Sequence, residues 1–151
     1  MTNTGNYPPL GQFQGTEQAE SQVTTGKARI LVIESEPGVA MMIACLLTWA
    51  GCEVQTAWNA KRGMKLAQTR GFDLITLDVN LPGGFEICSS LKENPFFQTP
   101  VVFVSTRFCE DDVQRGRDLG VADFIQKPFE ASDFVSRLLS HARQDEEICV
   151  L

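Results

Sequence analysis

Several chemical patterns are missing from this chain of 151 residues, and each absence excludes a class of protein. It has one histidine, His141, and five scattered cysteines without a Cys-x-x-Cys pair, so it carries no zinc-binding pattern. An odd number of isolated cysteines favours free thiols in a reducing cytoplasm over a disulfide framework. The longest apolar run, 39–47, is too short to span a bilayer, and residues 1–26 lack the apolar stretch of a signal peptide. The sequence therefore predicts a cytoplasmic protein that is not bound to a membrane.

A surplus of positive charge is also missing. With 13 Lys and Arg residues against 19 Asp and Glu residues, the formal net charge is -6 at pH 7. Nucleic acid requires a basic protein surface, because its backbone is polyanionic. The net charge therefore predicts that nucleic acid is not a partner of this chain.

Composition divides the chain into three parts. Residues 1–26 are rich in Gly, Gln, Thr, Asn and Pro, which predicts a disordered N-terminal arm. Residues 27–143 alternate apolar runs with helical segments and are numerous enough for one domain with its own core. Residues 144–151 form an acidic C-terminal tail. Because the sequence leaves no room for a second domain after residue 143, we expect any output to pass through protein contacts.

Five short apolar runs predict β-strands. Four of them are continuously apolar rather than alternating, which is typical of strands that are covered on both faces. The remaining run, at 52–57, is more amphipathic, and we expect it at an edge of the sheet. The continuous runs are RILVI (29–33), LITLD (74–78), VVFVS (101–105) and VADFI (121–125).

Helical segments with recognisable ends separate these runs. Pro37 is suited to the first turn of a helix, Asn59 can cap the next one, and Ser132 is expected to cap the last. Five strands that alternate with five helices predict a parallel sheet with helices on both faces, which is a three-layer α/β/α sandwich. The predicted helices are 38–50, 60–70, 85–94, 110–119 and a last one that follows Ser132.

Polar side chains stand at the ends of four of the predicted strands. The carboxyl ends of parallel strands share one edge of the sheet, and ligands bind at that edge. Taken singly, Asp78 could be a turn residue and Lys127 a solvated loop lysine. Their convergence on one edge favours a functional site instead. The strand-end residues are Glu34 and Ser35 on the first strand, Asp78 on the third, Ser105 and Thr106 on the fourth, and Lys127 on the fifth.

The same segments resemble the response-regulator receiver domain of two-component signalling, and the resemblance covers about 28–143. It implies the flavodoxin-like strand order 2-1-3-4-5. Four motifs carry it: ILVIESEP (30–37) resembles the acidic motif of the first strand, DLITLDVNLPG (73–83) the phosphoacceptor strand, PVVFVST (100–106) the hydroxyl-bearing strand and GVADFIQKPFE (120–130) the lysine-proline motif.

The resemblance implies a role for each residue of the site. Asp78 would accept a phosphoryl group from a histidine kinase or a histidine phosphotransfer protein, and Lys127 would pair first with Asp78 and then with the phosphoryl oxygens. Ser105 would donate a hydrogen bond to the phosphoryl group, and Phe124 would be the aromatic switch that follows Ser105 inward. The ligands of a Mg²⁺ ion would be Glu34, Asp78 and the backbone carbonyl of Asn80.

The sequence departs from the family pattern beside this site. Ser35 stands where the family usually has a second acid that ligates Mg²⁺ directly, and a neutral hydroxyl is a poorer ligand. Glu36 is either a replacement for that acid or simply a favourable charge at a helix N-terminus. The loop LPGGFE (81–86) is shorter than is usual in the family, and Thr106 replaces a small residue next to Ser105. We therefore expect weak Mg²⁺ binding and slow phosphorylation.

Three functions remain open at this point. The chain is a single-domain response regulator that signals to an unknown downstream protein, or a degenerate receiver that acts as a phosphorylation-independent interaction module, or a phosphohydrolase with an aspartate nucleophile. The enzyme class has a second acid where this chain has Asn80, so we do not expect an enzyme. The apolar first helix (39–50) is either deeply covered or a docking or homodimer surface, and Phe108 with Cys109 is a smaller exposed apolar candidate.

Overall fold

The computed structural model describes residues 26–69 and 71–142 as one α/β/α sandwich. The five strands are parallel, and their order is β2-β1-β3-β4-β5, which confirms the predicted fold and the edge position of β2. The predicted arm, apart from Gly26, and the predicted acidic tail lie outside the described residues. The elements are β1 Arg29–Ile33, α1 Pro37–Trp49, β2 Glu53–Ala57, α2 Ala60–Thr69, β3 Leu74–Leu77, α3 Gly84–Glu93, β4 Val101–Ser105, α4 Glu110–Asp118, β5 Asp123–Gln126 and α5 Ala131–Ala142.

The hydrophobic core has two halves, one on each face of the sheet. Successive residues of a strand point to opposite faces, so Ile30 and Val32 belong to one half, and Leu31 and Ile33 belong to the other. Helices α1 and α5 complete the first half, and α2 and α3 contribute to the second. The buried helix residues are Ile43, Leu47, Phe134 and Leu138 in the first half, and Phe85, Ile87, Cys88 and Leu91 in the second.

Two of the predicted helix starts are confirmed. Pro37 is the first residue of α1, where its missing N–H leaves no intrahelical bond unmade. At α2, the side-chain oxygen of Asn59 accepts a hydrogen bond of 2.8 Å from the backbone N–H of Arg62. Both helices therefore begin where their sequence signals placed them, and this fixes the loops that follow β1 and β2.

The predicted cap of the last helix is wrong. Helix α5 begins at Ala131, and the carboxylate of Glu130 accepts hydrogen bonds from the backbone N–H groups of Ser132 (3.1 Å) and Asp133 (2.8 Å). The Ser132 hydroxyl donates to the same carboxylate at 2.7 Å instead of capping the helix itself. These bonds hold the pKa of Glu130 below its usual value. Glu130 directly precedes the helix, and its side chain is long enough to bind the free N–H groups of the first turn. Glu130 is therefore the capping residue.

Strand β5 begins two residues later than the sequence predicts. Its ladder with β4 starts at the pair Val102 and Asp123, and it extends to Gln126. The N–H of Val121 donates to the carbonyl of Gly116 at 3.1 Å, so Val121 closes the end of α4 rather than starting the strand. Val121 and Ala122 therefore connect α4 to β5, although their apolar side chains are typical of a strand.

Asp123 fastens β5 to α5. Its carboxylate accepts two hydrogen bonds from the guanidinium of Arg137, at 3.0 and 2.7 Å, and lies 3.1 Å from Nε2 of His141. Burial raises the pKa of Asp123, but the hydrogen bonds from Arg137 and His141 outweigh burial and hold that pKa below its ordinary value. Arg137 also donates to the carbonyl of Phe124 at 3.0 Å, so the cluster positions the strand next to the candidate site.

The sequence predicts free thiols and no membrane-spanning segment, and the structure bears on both predictions. Cys45, Cys88 and Cys109 are free thiols, and burial raises the pKa of Cys88 to about 11. Within 26–69 and 71–142, every helix is too short or too polar to cross a membrane.

Candidate functional site

Glu34, Asp78 and Lys127 meet at the carboxyl edge of the sheet. Strands β1 and β3 are neighbours in register, so Glu34 and Asp78 emerge side by side. Lys127 follows β5, and its side chain reaches across so that Nζ lies 2.5 Å from Oε1 of Glu34 and 3.3 Å from Oδ2 of Asp78. The three side chains are 3%, 10% and 10% exposed, respectively. The structure therefore brings three predicted site residues into one buried ion cluster.

The charges in this cluster depend strongly on one another. Burial and a hydrogen bond with Asp78 raise the pKa of Glu34 to about 7, although Lys127 opposes this rise. Burial lowers the pKa of Lys127, but the hydrogen bonds and negative charges of Glu34 and Asp78 outweigh burial and raise that pKa above its ordinary value. Lys127 therefore remains a cation, and the pocket keeps a fixed positive charge beside Asp78.

Two glycines allow helix α3 to begin directly against the end of β3. Gly83 has a positive φ of 81°, and a Cβ atom on Gly84 would lie 3.0 Å from the carbonyl oxygen of Asp78. The loop between β3 and α3 can be short because the backbone of Gly84 lies directly against the backbone of Asp78. The N–H of Asn80 donates to Oδ1 of Asp78 at 2.9 Å, and this bond holds the carboxylate against the turn.

The Ser105 hydroxyl is fully buried at the neighbouring strand end, and it bonds to groups that sequence reasoning missed. It accepts a hydrogen bond of 2.5 Å from the side-chain amide of Asn80 and another of 3.2 Å from the N–H of Arg107. It donates to the carbonyl of Arg107 at 3.0 Å. The sequence assigned a role only to the Asn80 carbonyl. The sequence did contain a signal for this bond. Asn80 follows Asp78 by two residues, and the strand that ends in Ser105 was expected at the same edge of the sheet.

Phe124 lies among aromatic rings of β4 and of the loop that follows β4. Its ring makes edge contacts with Phe103 at 5.7 Å and with Phe108 at 5.6 Å between centroids. A Cβ on Gly116 of α4 would lie 2.6 Å from two carbons of the Phe124 ring, so the glycine opens the slot that the ring occupies. Of the predicted exposed apolar pair, Cys109 is exposed, whereas Phe108 is half-buried against Phe124.

The residues that depart from the family pattern lie at the rim of the pocket. Ser35 is exposed, and its backbone N–H donates to Oε2 of Glu34 at 3.1 Å. Glu36 directly precedes α1 and faces a cavity of about 370 Å³, which Thr106 and Lys127 also line. The carboxylate of Glu36 makes no capping hydrogen bond to α1, and its role as a replacement for the missing acid stays a prediction.

Helix α1 presents an apolar face to solvent. It buries Ile43 and Leu47 on the sheet, while Trp49 is 93% exposed and Met41 is 69% exposed on the other side. The helix is therefore not deeply covered among the described residues, and its role as a docking or homodimer surface stays a prediction. We call the depression on this face the α1 groove; its volume is about 410 Å³, and it is lined by Met42, Cys45, Leu46 and Trp49.

Comparisons of the sequence with known proteins agree with this geometry. The sequence model of the response regulator receiver domain family matches residues 30–139. The chain is 33% identical over 121 residues to the uncharacterized transcriptional regulatory protein YkoG of Bacillus subtilis, and 34% identical over 122 residues to the transcriptional regulatory protein DltR of Streptococcus agalactiae. These alignments cover 79% and 80% of this chain but 53% and 54% of the relatives, so the chain spans about half their length.

Two solved structures illustrate the similarity in fold. The chemotaxis protein CheY4 of Vibrio cholerae has a TM-score of 0.71 and 27% identity, over 76% of this chain and 98% of that one. The receiver domain of HemR from Leptospira biflexa has a TM-score of 0.70 and 29% identity, over 77% and 94%. Because the two sequence relatives are named as transcriptional regulators, the prediction that nucleic acid is not a partner gains no support.

Proposed function

Because this chain belongs to the response regulator receiver domain family, we propose that Asp78 accepts a phosphoryl group from a histidine kinase or a histidine phosphotransfer protein. Receiver domains are signalling modules, and they interact with donors of this kind. The observation that carries the proposal is the buried ammonium of Lys127, which lies 2.5 Å from Glu34 and 3.3 Å from Asp78. A carboxylate with a fixed cation beside it suits attack on a phosphoryl group.

The chemistry is a displacement at phosphorus. A carboxylate oxygen of Asp78 forms the new P–O bond while the P–N bond to the donor histidine breaks, and the imidazole leaves with the electron pair and is protonated. Negative charge accumulates on the equatorial phosphoryl oxygens, so positioning and charge neutralisation provide most of the rate acceleration. Lys127 supplies that positive charge, and the N–H of Asn80 holds the other carboxylate oxygen in place.

The donor set suits a weak Mg²⁺ site. Mg²⁺ prefers carboxylate and carbonyl oxygens, and Glu34, Asp78 and the carbonyl of Asn80 would hold it. Within the part of the chain that the structure describes, no three His, Cys, Asp or Glu side chains form a metal-binding group. Ser35 stands where a third acid would complete one, and Lys127 already binds both carboxylates. When bound, Mg²⁺ would add positive charge next to the incoming phosphoryl group.

The substitution Ser35→Asp is expected to tighten Mg²⁺ binding by roughly tenfold, because it adds a charged oxygen ligand beside Glu34 and Asp78. Isothermal titration calorimetry with MgCl₂ measures the effect. Ser90→Asp, which adds the same charge at an exposed position of α3, is the matched control and should leave the affinity unchanged. Equal affinities for the wild type and Ser35→Asp would show that Ser35 does not limit the site.

The output of the domain is proposed to pass through protein contacts. The α1 groove offers a solvent-exposed apolar surface, and the cavity that contains Lys127 begins beside it. A donor that docks on this helix brings its histidine near the pocket. Phe124 and Ser105 lie on the other side of Asp78, towards α4, where a change in the pocket can alter the surface that a downstream protein contacts.

Asp78→Asn is expected to abolish phosphorylation. The protein is incubated with a small acyl-phosphate donor, with and without Mg²⁺, and its intact mass is measured. The wild type should gain one phosphoryl group, and Asp78→Asn should gain none, because an amide cannot act as the nucleophile. Glu93→Gln is the control, since it removes an exposed carboxylate at the end of α3 and should still be modified.

The outcomes of this experiment separate the remaining functions. A phosphoryl group that persists in Asp78→Asn would overturn the assignment of the acceptor. A wild type that gains no phosphoryl group under any condition would instead support an interaction module that works without phosphorylation. That alternative is consistent with Ser35 at the position of the missing acid.

A further inference from the structure

We propose that the side-chain amide of Asn80 restrains the Ser105 hydroxyl on the backbone of Arg107 and thereby opposes the switch that follows phosphorylation. This inference rests on the proposed function, because it concerns the response of Ser105 to a phosphoryl group on Asp78. The side chain of Asn80 therefore has a positioning role, because it acts through Ser105 rather than on the reacting atoms.

The hydrogen-bonding capacity of Ser105 carries the argument. A serine hydroxyl has one donor and two acceptor lone pairs. In this structure the donor goes to the carbonyl of Arg107, at 3.0 Å, and the two lone pairs accept from Asn80, at 2.5 Å, and from the N–H of Arg107, at 3.2 Å. All three positions are filled. Ser105 can donate to a phosphoryl oxygen only after it releases the Arg107 carbonyl.

Burial makes that release costly. Ser105 is fully buried, so water cannot replace the lost partners as the hydroxyl turns. The bonds to Arg107 involve its backbone, and they move with the loop that joins β4 to α4. The bond to Asn80 is different, because it comes from a side chain on another loop, the one that follows β3. Asn80 thus links the acceptor loop to the switch hydroxyl.

The substitution Asn80→Ala isolates this restraint. It removes the amide that binds Ser105, but it keeps the backbone N–H that donates to Oδ1 of Asp78 and the backbone carbonyl. Because Asn80 is exposed, truncation of its side chain leaves no buried cavity. Asn80→Ala should therefore favour the state in which Ser105 faces the phosphoryl group, by the effect of one hydrogen bond, which is roughly two- to tenfold.

The equilibrium affinity for beryllofluoride, a mimic of the phosphoryl group, tests the proposal. The ion is titrated in the presence of Mg²⁺ into the wild type, Asn80→Ala, Ser105→Ala and the double variant. Asn80→Ala should bind roughly two- to tenfold more tightly than the wild type, and in the Ser105→Ala background the same change should have no effect. An unchanged or weaker affinity of Asn80→Ala, or an equal gain in the Ser105→Ala background, would overturn the restraint.

Amide hydrogen exchange on the unmodified protein provides a second readout that needs no ligand. The N–H of Arg107 donates to Ser105, so its exchange should become several-fold faster in Asn80→Ala, in the direction of the rate in Ser105→Ala. Unchanged exchange would contradict the restraint. If the wild type neither binds beryllofluoride nor accepts a phosphoryl group, the proposed function fails, and the exchange of Arg107 still decides whether Asn80 restrains Ser105.

Discussion

Replacing Lys127 with alanine is expected to prevent phosphorylation of Asp78 and to lower the free energy of unfolding by about 3 kcal/mol at pH 8. The substitution leaves Glu34 and Asp78 adjacent and buried without the ammonium that binds them both. Loss of one partner from a buried ion cluster costs more than the cluster contributes as a whole, because the remaining charges stay desolvated. Urea unfolding, followed by circular dichroism, measures the stability, and intact mass after incubation with the acyl phosphate measures the phosphorylation.

Two variants separate this effect from a general loss of a lysine. Lys61→Ala removes an exposed lysine of α2 and should change the stability by less than about 0.5 kcal/mol. The double variant Glu34→Gln/Lys127→Ala removes one of the unpaired carboxylates and should recover at least half of the stability that Lys127→Ala loses, without restoring phosphorylation. Equal stabilities of Lys127→Ala and the wild type at pH 8 would show that the ion cluster does not hold the pocket together.

Phe103→Ala is expected to lower the free energy of unfolding by about 4 kcal/mol, mainly by opening a cavity. Phe103 is fully buried in the middle of β4. Its ring makes edge contacts with Phe85 at 5.4 Å and with Phe124 at 5.7 Å between centroids, so the substitution removes the ring that lies between helix α3 and Phe124. Denaturant titration at neutral pH measures the loss.

Phe96→Ala is the matched control for this prediction. The same atoms are deleted, but Phe96 is 88% exposed in the loop before β4, so the expected change is below about 0.5 kcal/mol. If both alanine substitutions cost the same, burial between Phe85 and Phe124 is not the source of the stability. If Phe103→Ala alone is destabilising, the aromatic cluster of Phe85, Phe103 and Phe124 is part of the core.

The fold could be predicted from the sequence because its signals are local. Continuous apolar runs mark strands covered on both faces, and Pro37 and Asn59 mark helix starts at the residues that they occupy. The errors arose where a tertiary contact competes with a local signal. Ser132 is a good cap by type, but the helix begins earlier, at Ala131, and Glu130 accepts hydrogen bonds from its first N–H groups. Val121 is a good strand residue by type, but the end of α4 uses its N–H.

The sequence also allowed us to predict which residues lie at the site, but not which of their atoms form hydrogen bonds and ion pairs. Parallel strands end at one edge, so Glu34, Asp78 and Lys127 had to lie at the same edge of the sheet. Which atoms meet depends on how far each side chain reaches across neighbouring strands. Lys127 binds Glu34 more closely than Asp78, and Ser105 is held by Asn80 rather than left open. Sequence spacing does not encode such distances.

Met42 lies where the α1 groove meets the cavity that contains Lys127. Its side chain lines both the α1 groove and the cavity that contains Lys127, and it is exposed to solvent. Oxidation of a thioether to the sulfoxide turns a flexible apolar group into a polar one, and reductases reverse the change. One added oxygen atom on Met42 would therefore place a polar group in the α1 groove and beside the cavity that contains Lys127 at once. Peroxide would therefore change both surfaces through a residue that lies outside the ion cluster of Glu34, Asp78 and Lys127.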